Sequence, residues 1–476
     1  MTLPFAPLRF RNDDGTYTTV SDPRVDFLDY GIDTIRPSGD PTGADDPEML
    51  AEAIASATKN KRALVAIGQF YLNKPVVLID QMRLHGTGWT NTRFHLTPGA
   101  NCNAFETRPT DNSIIGTGVQ MYLSDFSVDG HGEDQAEDAP SDAFNLYSGV
   151  ADGWIHLERL RTLYTRRDAF HSVWNVEMRM RDCFAEHPGR YGYYLDGTDG
   201  FYDNCTSGVS GSHGFHIPGR DHRFTACKTW WNGALIWDDR SNYNGTLVKP
   251  GLTANGFNIE GDSNQFSNCE AQDTVSYAWA INDTNNVVRG HFGRARQGAV
   301  WLGPEAVDNY VRINSATGQM FAAIPTPYAT WIESGAARND VEVTYPVAYM
   351  TDPNGGMSNG VGGPAALKGA NRLRVGFPEF DRPVSYVASM TPDPFQGSTV
   401  VTLTGSITVN DTAADRKCHG STFSITAKQD STGGRTVTFN SSYKATTPAV
   451  TTPGTTNRWT FECVGSAWVQ RAHAAY

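Results

Sequence analysis

No run of eighteen or more apolar residues occurs in the 476-residue chain, so no stretch is long enough to cross a bilayer as a helix. The opening segment, MTLPFAPLRFRNDDGTY, lacks a basic stretch followed by an apolar one and reads as having no secretory signal. Positive charge is short. The 39 Lys and Arg stand against 51 Asp and Glu, a net charge of −12, which argues against nucleic acid as a partner. An acidic surface is neutral on carbohydrate. Cysteine is sparse, with seven residues dispersed along the chain, and that excludes a disulfide framework. Runs of Leu, Ala, Glu and Lys are also scarce, which disfavours a mainly helical protein.

Glycine, Asn, Asp, Thr and Ser are abundant instead, a composition of short strands and turns. At this length two to four domains are expected. The stretch NCTSGVSGSHGFHI (204–217) gathers Cys205, His213 and His216. Whether it is a site depends on whether it is unique or one copy of a repeat.

It is one copy. Cys183, Cys205, Cys227 and Cys269 are spaced by 22, 22 and 42 residues. Their contexts, MRDC, YDNC, FTAC and FSNC, match. A second column runs in phase through AFNL (143–146), AFHS (169–172), GYYL (192–195), GFHI (214–217), GFNI (256–259), AWAI (278–281) and AVWL (299–302). One copy carries an insertion, roughly 231–253. Short alternating strands with Asn and Gly turns at this period predict an all-β fold, a right-handed parallel β-helix. Each repeat is one coil, and strands of successive coils pair about 4.8 Å apart.

Alternation sorts the side chains. Phe215 and Ile217 point inward and His216 outward. Tyr202 points in, Asp203 out, and Cys205 returns to the core. Met180, Tyr202, Phe224, Phe266 and Val288 form one internal column and the four cysteines another. Asp182, Asn204 and Asn268 share a corner, where Asn and Asp tolerate left-handed backbone. Cys205 and His216 thus lie on opposite sides of the wall, which excludes a zinc site made of Cys205, His213 and His216. No metal and no cofactor is expected.

DDPEMLAEAIASATKNK predicts an amphipathic helix, with Asp45 and Asp46 as N-cap candidates. Met49, Leu50, Ala53, Ile54 and Ala57 share one face, suited to plugging the end of the solenoid. The expected layout is an N-terminal segment at 1–25, a cap with the first coils at 26–100, the β-helix at 101–350, a Gly/Pro-rich linker at 351–385 and an antiparallel β-sandwich at 386–476. The repeats are clearest from 143 to 313. Cys418 and Cys463 lie in the last module, and the sequence leaves open whether they are bonded.

Residues 25–90 contain VDFLDYGID, SGDPTGADDPEMLAEAIASA, GQFYLNKPVVL and RLHGTGW. They resemble the N-terminal signature of the pectate-lyase-like β-helix superfamily. The stretch VTLTGSITV…FSITAKQDSTGGRTVTFNSSYKA…TPGTTNRWTFECVGSAWVQ resembles a small β-sandwich at the ends of bacteriophage tail spikes and tail-fibre-like proteins. The combination is similar to a phage tail spike or minor tail protein. The resemblance implies a homotrimer and an N-terminal segment that joins other virion tail proteins. It also implies a β-helix that binds or depolymerises host cell-surface polysaccharide. Such a protein assembles in the host cytoplasm and is exposed on the virion tail after lysis, which suits reduced thiols. A non-catalytic adhesin or structural tail protein is the alternative. A cellular polysaccharide lyase or glycoside hydrolase is the second, disfavoured by the missing signal.

Chemistry is sought on the outer face. The outward stripe beside GFHI reads Asn145, His171, Tyr194, His216, Asn258, Ala280 and Trp301. His171, Tyr194 and Asn258 are candidate substrate-binding residues beside His216. Two positions on, Asp196 and Glu260 lie two coils apart, about 9–10 Å, near the upper limit of about 6.5–9.5 Å for the carboxylates of an inverting glycosidase. Both also precede glycines at a corner and would serve the turn equally well. The insertion adds Trp231, Trp237 and Arg240 as sugar contacts and Asp238 and Asp239 as catalytic or cation-binding carboxylates. Packing of these aromatics onto the solenoid or a neighbouring subunit is the structural alternative. DGHGED (129–134) resembles the Gly-His-Gly of polygalacturonases, but the Asp-Asp pair comes after it rather than before. The run Asp129–Asp142 therefore reads as a solvated loop. Arg159, Arg161, Arg166, Arg167, Arg179 and Arg181 suit ion pairs with carboxylates such as Glu158 and Glu177, or contacts to acidic sugars.

Overall fold

A computed structural model describes residues 8–11, 17–20, 31–107, 119–147, 154–233, 253–293, 295, 297–315, 328–344, 359–362, 371–376, 381–394, 398–412, 417, 422–444 and 446–476. Its main body is a parallel solenoid with three strand-bearing faces. In one coil, Phe201–Asp203 lies on the first face, Thr206–Gly208 on the second and Phe215–Ile217 on the third. The first two faces join in one 20-stranded sheet, because the later strands, from Gln265–Gln272 and Val287–Phe292 onward, span both. The third face is an 11-stranded sheet.

The core follows the alternation. Met180, Tyr202, Phe224, Phe266 and Val288 are in register and buried. On the third face Phe144, Phe170, Tyr193, Phe215, Phe257 and Trp279 stack ring on ring, with centroids 4.3–5.2 Å apart. Cys183, Cys205, Cys227 and Cys269 are buried free thiols. Burial pushes the first three well above the usual thiol range, so they behave as small apolar side chains. Asp182, Asn204 and Asn268 turn the corner in left-handed backbone, with φ of 54°, 50° and 55°.

The helix Asp46–Lys59 buries Leu50, Ile54 and Ala57, with Met49 and Ala53 packed beside them. Asp45 sits at the N-cap without a side-chain cap bond. Asp46 instead anchors the end, its carboxylate accepting the N–H groups of Ser38 and Tyr71, both at 2.7 Å.

The solenoid extends further than the clear repeats. Asn359–Gly362 pairs in parallel with Tyr328–Ile332, and Arg372–Gly376 with Asp340–Thr344. These two strands fall within 351–385, so that stretch is in part solenoid rather than linker. An asparagine ladder binds these coils. The side-chain oxygens of Asn264, Asn286, Asn309, Asn339 and Asn371 accept the backbone N–H of His222, Asn264, Asn286, Asn309 and Asn339 in turn, at 2.8–3.0 Å.

The C-terminal module has two sheets, but it is not antiparallel throughout. Asp381–Val384, Ser398–Leu403 and Thr422–Gln429 run parallel in one sheet. Ser389–Met390, Ile407–Val409 and Val437–Phe439 run parallel in the other. Successive strands alternate between sheets, so the chain coils before it closes with the antiparallel pair Thr456–Val464 and Ala467–Ala475. Alternation of apolar and polar residues is the same in both pairings and does not distinguish them. Trp459, Phe461 and Trp468 fill the core. Cys463 is a free thiol, and Cys418 lies outside the described residues. Within 1–25, Leu8–Arg11 and Tyr17–Val20 form an antiparallel pair. Among the described residues no helix is long and apolar enough to cross a membrane.

Candidate functional site

The third face brings the outward stripe together. Asn145, His171, Tyr194, His216 and Asn258 are partners on consecutive coils. The His171 and Tyr194 rings stack at 4.5 Å, and Tyr194 meets His216 at 5.2 Å. His216 Nδ1 lies 2.9 Å from Asn258 Nδ2, which also donates to Glu260 Oε1 at 2.9 Å. Glu260 Oε2 stands 3.7 Å from His216 Nε2.

Carrying the registers Tyr194↔His216 and His216↔Asn258 two residues further sets Asp196 and Glu260 in one column, two coils apart. Burial raises the Asp196 pKa, against the pull of the His171 and His216 imidazoles. Burial also lowers that of His216, against the Glu260 carboxylate. The backbone closes up behind these carboxylates. A Cβ on Gly261 would stand 1.9 Å from the Gly219 oxygen, so glycine is required after Glu260.

A second layer escapes the alternation argument. Three positions before the stripe lie Asn103, Asp142, Asp168, Tyr191, His213 and Asn255. Asp168 is fully buried. Its Oδ2 lies 2.7 Å from His171 Nδ1, and Arg190 donates to both of its oxygens. Burial opposes the charge on Asp168, but these hydrogen bonds outweigh it and hold its pKa below the usual range. The Arg190 guanidinium also covers Tyr191 at 4.6 Å, and Tyr191 stacks on His216 at 4.7 Å. His213 is buried, accepts the Asn255 N–H on Nδ1 at 2.9 Å, and has its pKa lowered to about 3 by burial. The signal for this layer is the recurring Asp in SDAF and RDAF.

Trp231 is half-buried in left-handed backbone, φ 56°, where the insertion leaves the solenoid. Trp237, Asp238, Asp239 and Arg240 lie outside the described residues. The chain is described again from Thr253, just before the strand Phe257–Ile259 that carries Asn258. The basic cluster is largely ion-paired. Arg159 meets Asp125 and Glu158, Arg161 meets Glu186, Arg167 meets Asp142, and Arg181 meets Glu158.

A separate cleft of about 590 Å³ opens over the corner between the first two faces. Trp89, Phe184 and Trp230 line it together with Asp125, Arg159, Asp182 and Asn204. Phe184 and Trp230 are 5.6 Å apart, and Arg161 lies over both Trp89 and Phe184. Trp89 and Phe184 belong to coils far apart in sequence, so spacing alone gives no hint of the cleft.

Among solved structures, the chain is similar to the A-module of a mannuronan C-5 epimerase from Azotobacter vinelandii. Identity is 13%, coverage 84% of this chain and 92% of that one, and the TM-score 0.49. It is also similar to tailspike protein 2 of an Escherichia coli O157:H7 bacteriophage, at 12% identity, 78% and 45% coverage and a TM-score of 0.45. A tailspike of an Acinetobacter phage matches at 9% identity, 98% and 84% coverage and a TM-score of 0.41. No curated protein matches the sequence. Residues 390–460 match the family model described as "Putative phage tail fibre C-terminal domain", which bears out the resemblance of the C-terminal module to phage tail proteins.

Proposed function

We propose that the chain is a tail spike-like virion protein that binds host cell-surface polysaccharide along its third face and hydrolyses it there. The observation that carries this reading is the stacked strip His171–Tyr194–His216–Asn258, with His171 oriented by the buried Asp168. A strip of rings and amides several coils long suits a linear sugar chain, whose C–H faces stack on rings while its hydroxyls bond to the polar edges. Asp196, whose pKa burial raises, is the acid that protonates the glycosidic oxygen. Glu260 activates water from about two strand spacings away, the separation of an inverting mechanism. The protein assembles as a homotrimer and attaches to other tail proteins through residues 1–25.

The test is incubation with host envelope polysaccharide and measurement of new reducing ends. Asp196→Asn and Glu260→Gln are each expected to lower the rate at least about 100-fold. Release of 4,5-unsaturated uronates instead would make the reaction elimination rather than hydrolysis. Unimpaired cleavage by both variants would place the site elsewhere.

The second reading is a non-catalytic adhesin, favoured by the three rings of the corner cleft. In that case Trp230→Ala weakens glycan binding, and no cleavage product forms.

A further inference from the structure

The second face carries a cluster that glycan binding on the third face does not use. Tyr71, His95 and Asp129 are partners on three consecutive coils, so their side chains form one outward column. After Asp129 the chain turns through His131, whose left-handed backbone, φ 43° and ψ 47°, brings its ring back over His95. His95 Nδ1 then lies 3.3 Å from His131 Nε2. The Asp129 carboxylate faces both nitrogens, its Oδ2 3.8 Å from His95 Nδ1 and its Oδ1 3.8 Å from His131 Nε2.

The outer edges of both rings face acceptors. His95 Nε2 lies 3.0 Å from Gln69 Oε1. An amide oxygen only accepts, so the His95 proton sits on Nε2 and the Nδ1 lone pair points at His131 and Asp129. His131 Nδ1 lies 3.8 Å from Asp134 Oδ2, where a carboxylate would fix its proton on the far side. Rings held in this way, each with a second-layer acceptor, are the arrangement of metal-binding imidazoles. The spacing agrees. Two nitrogens on a tetrahedral zinc at about 2.0–2.1 Å stand about 3.3–3.4 Å apart, and a closing movement of about half an ångström would bring in a carboxylate oxygen. Arg93 Nη1 stands 4.0 Å from Asp129 Oδ2, while its Nε donates to Ser127 Oγ. It competes with a cation for the carboxylate.

We propose that His95, Asp129 and His131 bind one divalent transition-metal ion of the Zn²⁺ class, with water completing the shell. Two imidazoles and a carboxylate select such an ion over Mg²⁺ or Ca²⁺. The ion ties the connection from Asp129 to Phe144 down onto the second face. From sequence alone no metal is expected, because the acidic run reads as solvated and nothing in it shows that His95, one coil earlier, faces it.

The full chain, stripped with EDTA, is titrated with Zn²⁺ by calorimetry and with Co²⁺ by absorption. One equivalent is expected to bind, with Co²⁺ bands more intense than those of the hexaaqua ion. His131→Asn keeps a residue that tolerates the left-handed turn and is expected to weaken Zn²⁺ binding at least about tenfold, as is Gln69→Leu. Zn²⁺ should raise the melting temperature of the parent and leave that of His131→Asn unchanged. Absence of binding, or an affinity in His131→Asn and His95→Gln equal to the parent's, overturns the proposal. If the variants fail to fold, the Co²⁺ spectrum of the parent decides, and an unchanged aqua-ion spectrum overturns it.

Discussion

Asp168 has no solvent access, and both its oxygens receive hydrogen bonds from Arg190. Truncation would take from Arg190 and His171 the buried carboxylate that both bind. Asp168→Ala is therefore expected to cost about 3–5 kcal/mol of stability, read as a lower urea midpoint. Arg338→Ala is the control, because its pair with Asp308 is exposed and its loss should leave the midpoint unchanged. The candidate site residues differ in how legible they are. His171, Tyr194, His216 and Asn258 can be placed from sequence, because strand alternation fixes which side chains face out. Asp168 lies before the strand, in a turn, where alternation says nothing. Its column becomes visible only when the repeats are aligned three residues earlier. The members of that column act alike. Asn103, Asp142, Asp168, His213 and Asn255 each accept the backbone N–H of the equivalent position, or its neighbour, on the next coil. His213, ambiguous in sequence, belongs to this structural series.

Among the elements, the later coils show where periodicity fails. A fixed 22-residue period remains visible as far as 313, but the ladder residues Asn309, Asn339 and Asn371 are 30 and 32 apart. The extra residues lie between strands and leave the ladder intact, so the coil continues while self-similarity fades. The signal that survives is chemical: an Asn two residues before a buried strand position. Such a ladder matters because each side chain satisfies a buried backbone donor. Asn309→Ala would leave the Asn286 N–H without its acceptor and remove the bond to the Asp283 carbonyl. The expected cost is about 1–3 kcal/mol for the orphaned donor. A urea midpoint equal to the parent's would show that the ladder is ornamental.

At the scale of the whole molecule, the solenoid stores neutral histidines. His213 and His222 are both buried, and burial lowers each pKa to about 3. Unfolded imidazole titrates near about 6.5. Between these limits the unfolded chain binds more protons than the folded one, so stability is fully present above about pH 6.5 and falls as the pH drops towards the folded values. Two such residues set an upper slope of about 2.7 kcal/mol per pH unit. The ladders say how to remove this dependence without breaking the coil. His213 occupies the column that holds Asn255 on the next coil, and His222 precedes Asn264 in the asparagine ladder. His213→Asn with His222→Asn therefore inserts each ladder's own residue. The double variant is expected to fold at neutral pH and to lose much of the slope of its urea midpoint between pH 6 and 4. A slope as steep as the parent's between pH 6 and 4 would leave the buried imidazoles without a part in the acid response, because Asp168, with its lowered pKa, withdraws stability only below the ordinary carboxylate range.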